Sequence, residues 1–174
     1  MLWFDSFPIL AICVVCGFLN SGTDAPSGNE FLTKQIRMEI EINASAERVW
    51  SVLTDFSDYP NWNPFIGKIT GTLQEGERLE VSFLPSGWFS TFRPVVLVAD
   101  APREFRWRGS LPVPGLFTGE HYFTIEPLAP GRVRFVQGEN FSGLLVTLAS
   151  GVLERTKQNF EAMNQALKKR AESR

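Results

Sequence analysis

The feature that most constrains the fold is a series of short hydrophobic segments, separated at even intervals by turns that contain glycine or proline. This spacing predicts consecutive antiparallel strands with tight connections. The predicted strands cover residues 66–73, 78–84, 90–99, 104–109, 116–126 and 132–141. An alternating run at residues 36–42, with isoleucine and methionine on one side, predicts another strand in front of them. The chain is therefore expected to build a seven-stranded sheet.

Helical patterns flank these strands. Ser45 fits the N-cap of a helix over residues 46–56, because its hydroxyl can accept a free N–H of the first turn. The prolines of residues 57–64 end that helix and allow one further short helix. From residue 144 to about residue 171, apolar residues recur at helical spacing, and basic residues follow near the end. One long helix across one face of an antiparallel sheet predicts an α+β fold.

Composition excludes several kinds of protein. The chain is 44% hydrophobic and 21% charged, which is typical of a globular protein and not of a disordered or polytopic membrane protein. Its net charge of −2 argues against nucleic-acid binding. The one histidine is His121, and Cys13 and Cys16 precede the predicted domain, so a closed zinc site is not available. Because nucleotide-binding glycine motifs are also missing, we expect no metal and no cofactor.

Residues 1–35 precede the predicted domain, which spans residues 36–174. The apolar run at residues 7–19 is shorter than the roughly 20 residues that a membrane-spanning helix needs. Asp5 is the sole charged residue before that run, which does not fit a secretory signal. We expect a disordered leader or residues outside the functional protein, and a cytoplasmic location. The alternative is a targeting segment, which would export the protein or attach it to a membrane.

Three segments of the domain resemble a known superfamily. They are the opening IEINASAERVWSVLTDFSDYPNWNPFI, the strand pair GEHYFTIEP and GRVRFVQGENFSGLL, and the closing MNQALKKRAE. Over residues 36–171 the chain resembles the START/Bet v1-like superfamily (SRPBCC, polyketide cyclase/dehydrase-like proteins), and in particular its small bacterial members of unknown role. The resemblance implies the helix-grip fold, in which a curved seven-stranded antiparallel sheet wraps around a long C-terminal helix and two short helices follow the first strand. It also implies a deep apolar cavity for a lipid-like, aromatic or polyketide-like ligand.

Strand alternation predicts which residues line that cavity, because alternate residues of a strand share one face. Three polar residues, which we call the inner polar group, fall on the apolar face: His121, Gln137 and Glu139. A shift by one residue would instead turn several charged side chains inward, at a much greater cost. The predicted lining comprises Leu79, Val81, Phe83, Phe105, Trp107, Phe117, His121, Phe123, Phe135, Gln137, Glu139, Val152 and Phe160.

The inner polar group has three interpretations. As a catalytic pair, His121 and Glu139 could serve as general acid and base on a carbonyl-containing ligand. As a binding group, the same side chains could orient the polar end of a ligand without reacting. As a structural group, they could satisfy one another and maintain the sheet register. Arg93 either joins the group as a counter-charge to Glu139 or faces solvent.

Apolar side chains occupy two connections, although hairpin tips are usually polar. These residues are Trp88, Phe89, Leu111, Val113 and Leu116. They predict either a portal rim, through which a ligand enters from a membrane or a carrier, or a lid that closes the core.

We therefore expect a protein that binds one small hydrophobic molecule in an internal cavity and does not bind nucleic acid. The first alternative is an enzyme, a polyketide cyclase or dehydratase, with His121 and Glu139 as acid and base. The second alternative is docking of a partner through the portal rim, or transient contact of that rim with a membrane surface. The pattern contains no integral membrane span and does not predict an oligomeric state.

Overall fold

The computed structural model describes residues 33–84, 91–148 and 150–173 of the 174-residue chain. They follow the predicted order of strand, short helices, further strands and long helix. Most of the predicted leader lies outside the described residues. So do Trp88 and Phe89 of the predicted portal rim, and the side chain of Val152.

Eight strands and three α-helices occur in the described residues. The strands are β1 (Thr33–Ile42), β2 (Ile66–Thr70), β3 (Glu80–Phe83), β4 (Thr91–Phe92), β5 (Val95–Asp100), β6 (Glu104–Ser110), β7 (Thr118–Ala129) and β8 (Arg132–Ser142). The helices are α1 (Ala46–Thr54), α2 (Tyr59–Trp62) and α3 (Ser150–Glu172), with 3-10 turns at Phe56–Asp58 and Leu144–Leu148. The α+β class is confirmed.

Side-chain caps determine where the short helices begin and end. The hydroxyl of Ser45 accepts a hydrogen bond from the N–H of Arg48 at 3.3 Å, and α1 starts there. After α2, the side-chain oxygen of Asn63 accepts hydrogen bonds from the N–H groups of Phe65 and Ile66, at 2.9 and 2.8 Å. Asn63 therefore turns the chain from the second helix into β2.

The strands form two antiparallel sheets that meet along one seam. The larger sheet has the order β1-β8-β7-β6-β5, and the smaller has the order β2-β3-β4. At the seam, Leu79 N–H donates to the Pro94 carbonyl at 3.0 Å, and Val96 N–H donates to the Glu77 carbonyl at 2.9 Å. The small sheet is therefore hydrogen-bonded to the β5 edge of the large one.

Two predicted elements are divided in the structure. The predicted strand at residues 90–99 is interrupted at Arg93 and Pro94, so eight strands replace the predicted seven. Proline has no N–H to donate to a strand ladder, which accounts for the break. The predicted helix over residues 144–171 begins as a 3-10 turn, and α3 itself spans Ser150–Glu172.

Arg93 faces solvent. Its guanidinium pairs with Glu80 at 3.0 Å, and 76% of the side chain is exposed. The interpretation of Arg93 as a counter-charge to Glu139 is therefore wrong, and the solvent-facing alternative is confirmed.

The hydrophobic core lies between α3 and the inner face of the sheet. Phe160, Met163 and Leu167 of α3 are completely buried, and so are Phe123 and Phe135 from β7 and β8. Burial of each such side chain stabilises the fold by about 1.5–3 kcal/mol. The helix is thereby held across the strands that carry the inner polar group.

The C-terminal end of α3 is attached to the first helix. The Arg48 guanidinium donates to the carbonyls of Arg170 and Ala171, at 3.3 and 3.4 Å. Arg170 pairs with Asp58 at 2.6 Å. No helix in the described part of the chain is both long and apolar enough to cross a membrane.

Candidate functional site

Strand register brings His121 and Glu139 side by side. Glu139 of β8 lies directly opposite His121 of β7, and His121 lies directly opposite Trp107 of β6. In the adjacent row, Gln137 lies opposite Phe123. The predicted inner face is correct, and the three members of the inner polar group occupy neighbouring positions on it.

His121 is enclosed by aromatic rings. Its own ring lies 4.9 Å from Trp107, 4.5 Å from Phe123 and 4.8 Å from Phe160, measured between centroids. The residue is 1% exposed. This burial lowers the pKa of His121 to about 3, so the imidazole is neutral at pH 7.

Gln137 determines which nitrogen of His121 carries the proton. The amide nitrogen of Gln137 lies 3.1 Å from Nε2 of His121. An amide NH₂ can only donate, so Nε2 accepts and the proton of the neutral ring resides on Nδ1, which faces Glu139. The Gln137 side-chain oxygen is buried without a hydrogen-bond partner in the described ranges.

Glu139 has a carboxyl group without a hydrogen-bonding partner in the described residues. Its Oε2 lies 3.9 Å from Nδ1 of His121, which is beyond hydrogen-bonding distance. Burial raises the pKa of Glu139 to about 8, so the carboxyl is mostly protonated at pH 7. Because 17% of the side chain is exposed, this neutral carboxyl lies at the open margin of the interior and can donate a hydrogen bond.

The other predicted lining residues that the structure describes lie in the core or against it, on the sheet or on the facing helix α3. Those fully or almost fully buried are Leu79, Val81, Phe105, Trp107, Phe123, Phe135 and Phe160. Phe83 and Phe117 are partly buried against them. Ring contacts such as Phe105–Phe123, with centroids 5.6 Å apart, show that the deep residues pack on one another. Phe83, Phe117 and Glu139 are only partly buried, and both Phe117 and Glu139 lie against Gly119.

Several large apolar side chains are exposed. The large hydrophobic residues with the greatest exposure in the described ranges are Leu84, Phe92, Leu111, Val113, Leu144 and Leu145, and we call them the exposed rim. The N–H groups of Leu144 and Leu145 donate to the carbonyls of Gly115 and Leu116, both at 3.1 Å, which joins two of the contributing segments.

Two predicted portal residues, Leu111 and Val113, are exposed at 36% and 58%, and Leu116 is half-buried. Sequence reasoning missed Leu144 and Leu145 because their spacing also fits the start of an amphipathic helix. The sequence signal that could have found them is Gly143, which directly precedes them. Its φ is +119°, a conformation that glycine favours and that lies outside the helix α3.

Two surface depressions lie away from the inner polar group. One, of about 270 Å³, is lined by Arg48, Ser51, Val52, Asp55, Asp58, Arg170 and Ser173. The other, of about 580 Å³, is lined by Thr33, Lys34, Gln35, Arg108, Thr118, Glu120, Asn140, Phe141 and Ser142. No cluster of three or more His, Cys, Asp or Glu side chains in the described residues could hold a metal ion.

Comparison with protein families gives a match over almost the whole domain. The family described as polyketide cyclase/dehydrase and lipid transport matches residues 33–172. The chain belongs to this family. The wider superfamily is known for binding hydrophobic ligands and for polyketide cyclase and dehydrase roles. No curated protein matches the sequence significantly.

Several solved structures have the same fold as this member of the family. Truncated norcoclaurine synthase from Thalictrum flavum has a TM-score of 0.66 and 17% identity, over 85% of this chain and 99% of that one. The Zhui aromatase/cyclase from Streptomyces sp. R1128 has a TM-score of 0.65 and 18% identity, over 81% and 94%. A START superfamily protein from Mycobacterium smegmatis has a TM-score of 0.59 and 22% identity, over 79% and 97%. The predicted START/Bet v1-like fold is confirmed.

Proposed function

We propose that the protein binds one small hydrophobic molecule between α3 and the inner face of the sheet, with its polar end at the inner polar group. The observation that carries this proposal is the Glu139 carboxyl. It is protonated near pH 7, has no hydrogen-bonding partner in the described residues, and lies where an aromatic interior meets partly exposed space. A buried polar group without a partner is costly, and a ligand would supply that partner.

Apolar burial provides the affinity in this proposal. A ligand that removes about 200 Å² of apolar surface from water gains roughly 5 kcal/mol, part of which offsets the entropy cost of association. The exposed rim, which includes Val113 at 58% exposure, provides an apolar approach to the interior. The polar contact with Glu139 then selects among ligands of similar shape.

The related structures support an aromatic ligand. One structure of norcoclaurine synthase from Thalictrum flavum is in complex with dopamine and hydroxybenzaldehyde, both of which are aromatic. In this chain Phe117 lies against the same glycine as the Glu139 carboxyl, and Trp107 lies in the same row as Glu139 on the far side of His121. Aromatic rings pack favourably on such side chains in stacked or edge-on arrangements.

The geometry favours binding over acid–base catalysis. An imidazole with a pKa of about 3 is a weak base near pH 7. Its Nδ1 is also 3.9 Å from Glu139 Oε2, so the two groups do not form the hydrogen-bonded pair that a catalytic couple would use. The cyclase or dehydratase alternative therefore has less support than the binding function.

Native mass spectrometry of freshly purified protein tests the proposal. We expect a population that carries one bound small molecule, and we expect that mass to disappear under denaturing conditions. Protein that is consistently free of ligand, and that takes up no naphthalene-based probe after incubation, would contradict the proposed function. Denatured samples of the same preparation control for covalent modification.

A further inference from the structure

The inner face of the sheet has two paired glycines, one of which lies against Glu139. Gly109 of β6 and Gly119 of β7 lie opposite each other in the strand pairing. They are two residues beyond Trp107 and His121 respectively, so they occupy the same inner face. We call this pair the glycine gap, because the neighbouring row carries the Trp107 and His121 side chains, whereas β6 and β7 present only backbone at these two positions. The same row continues on β8 with Phe141.

The surroundings of the two glycines differ in an informative way. A Cβ at Gly119 would lie 2.5 Å from Oε1 of Glu139, so the carboxyl reaches across β7 onto the Gly119 backbone. Among the described residues, only Pro94 would lie within 4 Å of a Cβ at Gly109, at 4.0 Å. Glu139 therefore covers Gly119, whereas no described side chain covers Gly109.

Few charged groups face this carboxyl. On β7 the nearest ionisable group is His121, and on β1 it is Lys34, which is exposed and forms no ion pair with Glu139. From α3, the side chains buried toward the sheet are Phe160, Met163 and Asn164, which carry no charge. The charged residues near the start of α3, Glu154, Arg155 and Lys157, are exposed.

We propose that the glycine gap is the subsite for the polar end of the ligand, and that it accepts a neutral hydrogen-bond acceptor such as a ketone, aldehyde or ester carbonyl. The inference rests on the proposed function and specifies the chemistry of the ligand. Two donors converge there, the carboxyl O–H of Glu139 and the Nδ1–H of His121, whose heavy atoms are 3.9 Å apart. A carbonyl oxygen has two lone pairs and can accept from both donors. Among the described residues, the bare backbone at Gly109 leaves room for a flat group beside them.

Charged ligands fit this subsite less well. A carboxylate would need a cation to compensate its buried charge. Among the described residues, the groups that face Glu139 from β7 and α3 provide none, and Lys34 on β1 is exposed. An ammonium would require Glu139 to ionise in a largely apolar environment. The neutral carbonyl avoids both costs.

Four probes with one shared ring system test this inference: 2-acetonaphthone, naphthalene, 2-naphthoate and 2-naphthylmethylamine. Their binding to the full chain is measured by isothermal titration calorimetry at pH 6. We expect 2-acetonaphthone to bind about fivefold more tightly than naphthalene, and more tightly than either charged probe. Failure of all four to bind would overturn both proposals. Naphthalene binding without a preference for the ketone would overturn the carbonyl subsite and leave the proposed binding function standing. Tighter binding of a charged probe would have the same consequence.

Variants of Glu139 separate donation from burial. The affinity of the native protein for 2-acetonaphthone should fall severalfold between pH 7 and pH 9, because Glu139 ionises near pH 8. Glu139→Gln retains a donor and should bind the ketone equally at both pH values, whereas Glu139→Leu should lose the preference and retain naphthalene binding. Glu126→Gln, on an exposed ion pair with Arg134, is the matched control. A preference that survives in Glu139→Leu would overturn the inference.

Substitutions at the glycine gap test the location. Gly109→Leu should fill the gap and weaken 2-acetonaphthone binding at least tenfold, while Ser110→Leu on the opposite, exposed face should leave it unchanged. Gly109→Ala, which the structure has room for, provides a milder variant if the leucine prevents folding. Unchanged affinity in a folded Gly109→Leu protein would contradict the proposed location.

Discussion

The free energy of unfolding should depend on pH through two neighbouring groups, His121 and Glu139. Their effects have opposite signs. Folding lowers the pKa of His121 from 6.5 to about 3 by burial, so its contribution is complete above pH 6.5 and is lost as pH falls toward 3. Folding raises the pKa of Glu139 from 4.5 to about 8 by burial. Its contribution is complete below pH 4.5 and is lost as pH rises toward 8.

The size of these effects follows from proton linkage. Where the folded and unfolded states differ by one bound proton, the free energy of unfolding changes by roughly 1.4 kcal/mol per pH unit. Between pH 4.5 and 6.5 the two slopes oppose and cancel. From pH 6.5 to 8 the Glu139 slope acts alone, and the free energy of unfolding should fall by roughly 2 kcal/mol. In Glu139→Gln that fall should disappear, and the unopposed His121 slope should remove roughly 3 kcal/mol between pH 6.5 and 4.5.

Urea denaturation followed by tryptophan fluorescence at pH 4.5, 6.5 and 8 measures these differences. Glu126→Gln controls for removal of a surface carboxylate, because Glu126 is 48% exposed. Parallel pH profiles for the native protein and Glu139→Gln between pH 6.5 and 8 would refute the reasoning. Such profiles would mean that Glu139 ionises in the folded protein as readily as in water.

Three further substitutions have defined expectations. Phe160→Ala should cost about 3–5 kcal/mol in urea denaturation, because its completely buried ring packs on His121 and the space cannot fully close; a loss below 1 kcal/mol would contradict the packing. Tyr59→Phe should cost about 1 kcal/mol, because the hydroxyl donates to a buried carbonyl at 2.7 Å, and thermal unfolding would measure it. Gly119→Ala should destabilise the protein more than Gly109→Ala, because only the former displaces the Glu139 carboxyl; equal melting temperatures would count against this contact.

Strand alternation was sufficient to place the inner polar group. Because side chains alternate between faces, a shift of one residue would have turned a whole strand over and buried charged residues. His121 and Gln137 are indeed buried, at 1% and 0% exposure. Alternation fixes the face of a residue and not its neighbour on the next strand, so the direct pairings His121–Glu139 and Gly109–Gly119 required the structure.

Other features depend on interactions that a single sequence does not show. The break at Arg93 and Pro94 was missed because the surrounding run is apolar on both faces, which left its register open. The Gln137 oxygen has no hydrogen-bond partner among the described residues, and this becomes evident only once the amide nitrogen is placed beside His121. The fold itself was recognisable from the family-like segments, whereas the chemistry at Glu139 depends on burial that only packing against α3 determines.

The most direct measurement is a crystal structure of the protein soaked with 2-acetonaphthone. The account predicts density for the ring system between α3 and the sheet, with the ketone oxygen above Gly109 and within hydrogen-bonding distance of the Glu139 carboxyl. Density for the probe only at a surface depression, or an interior that stays filled by its own side chains at saturating probe, would contradict it.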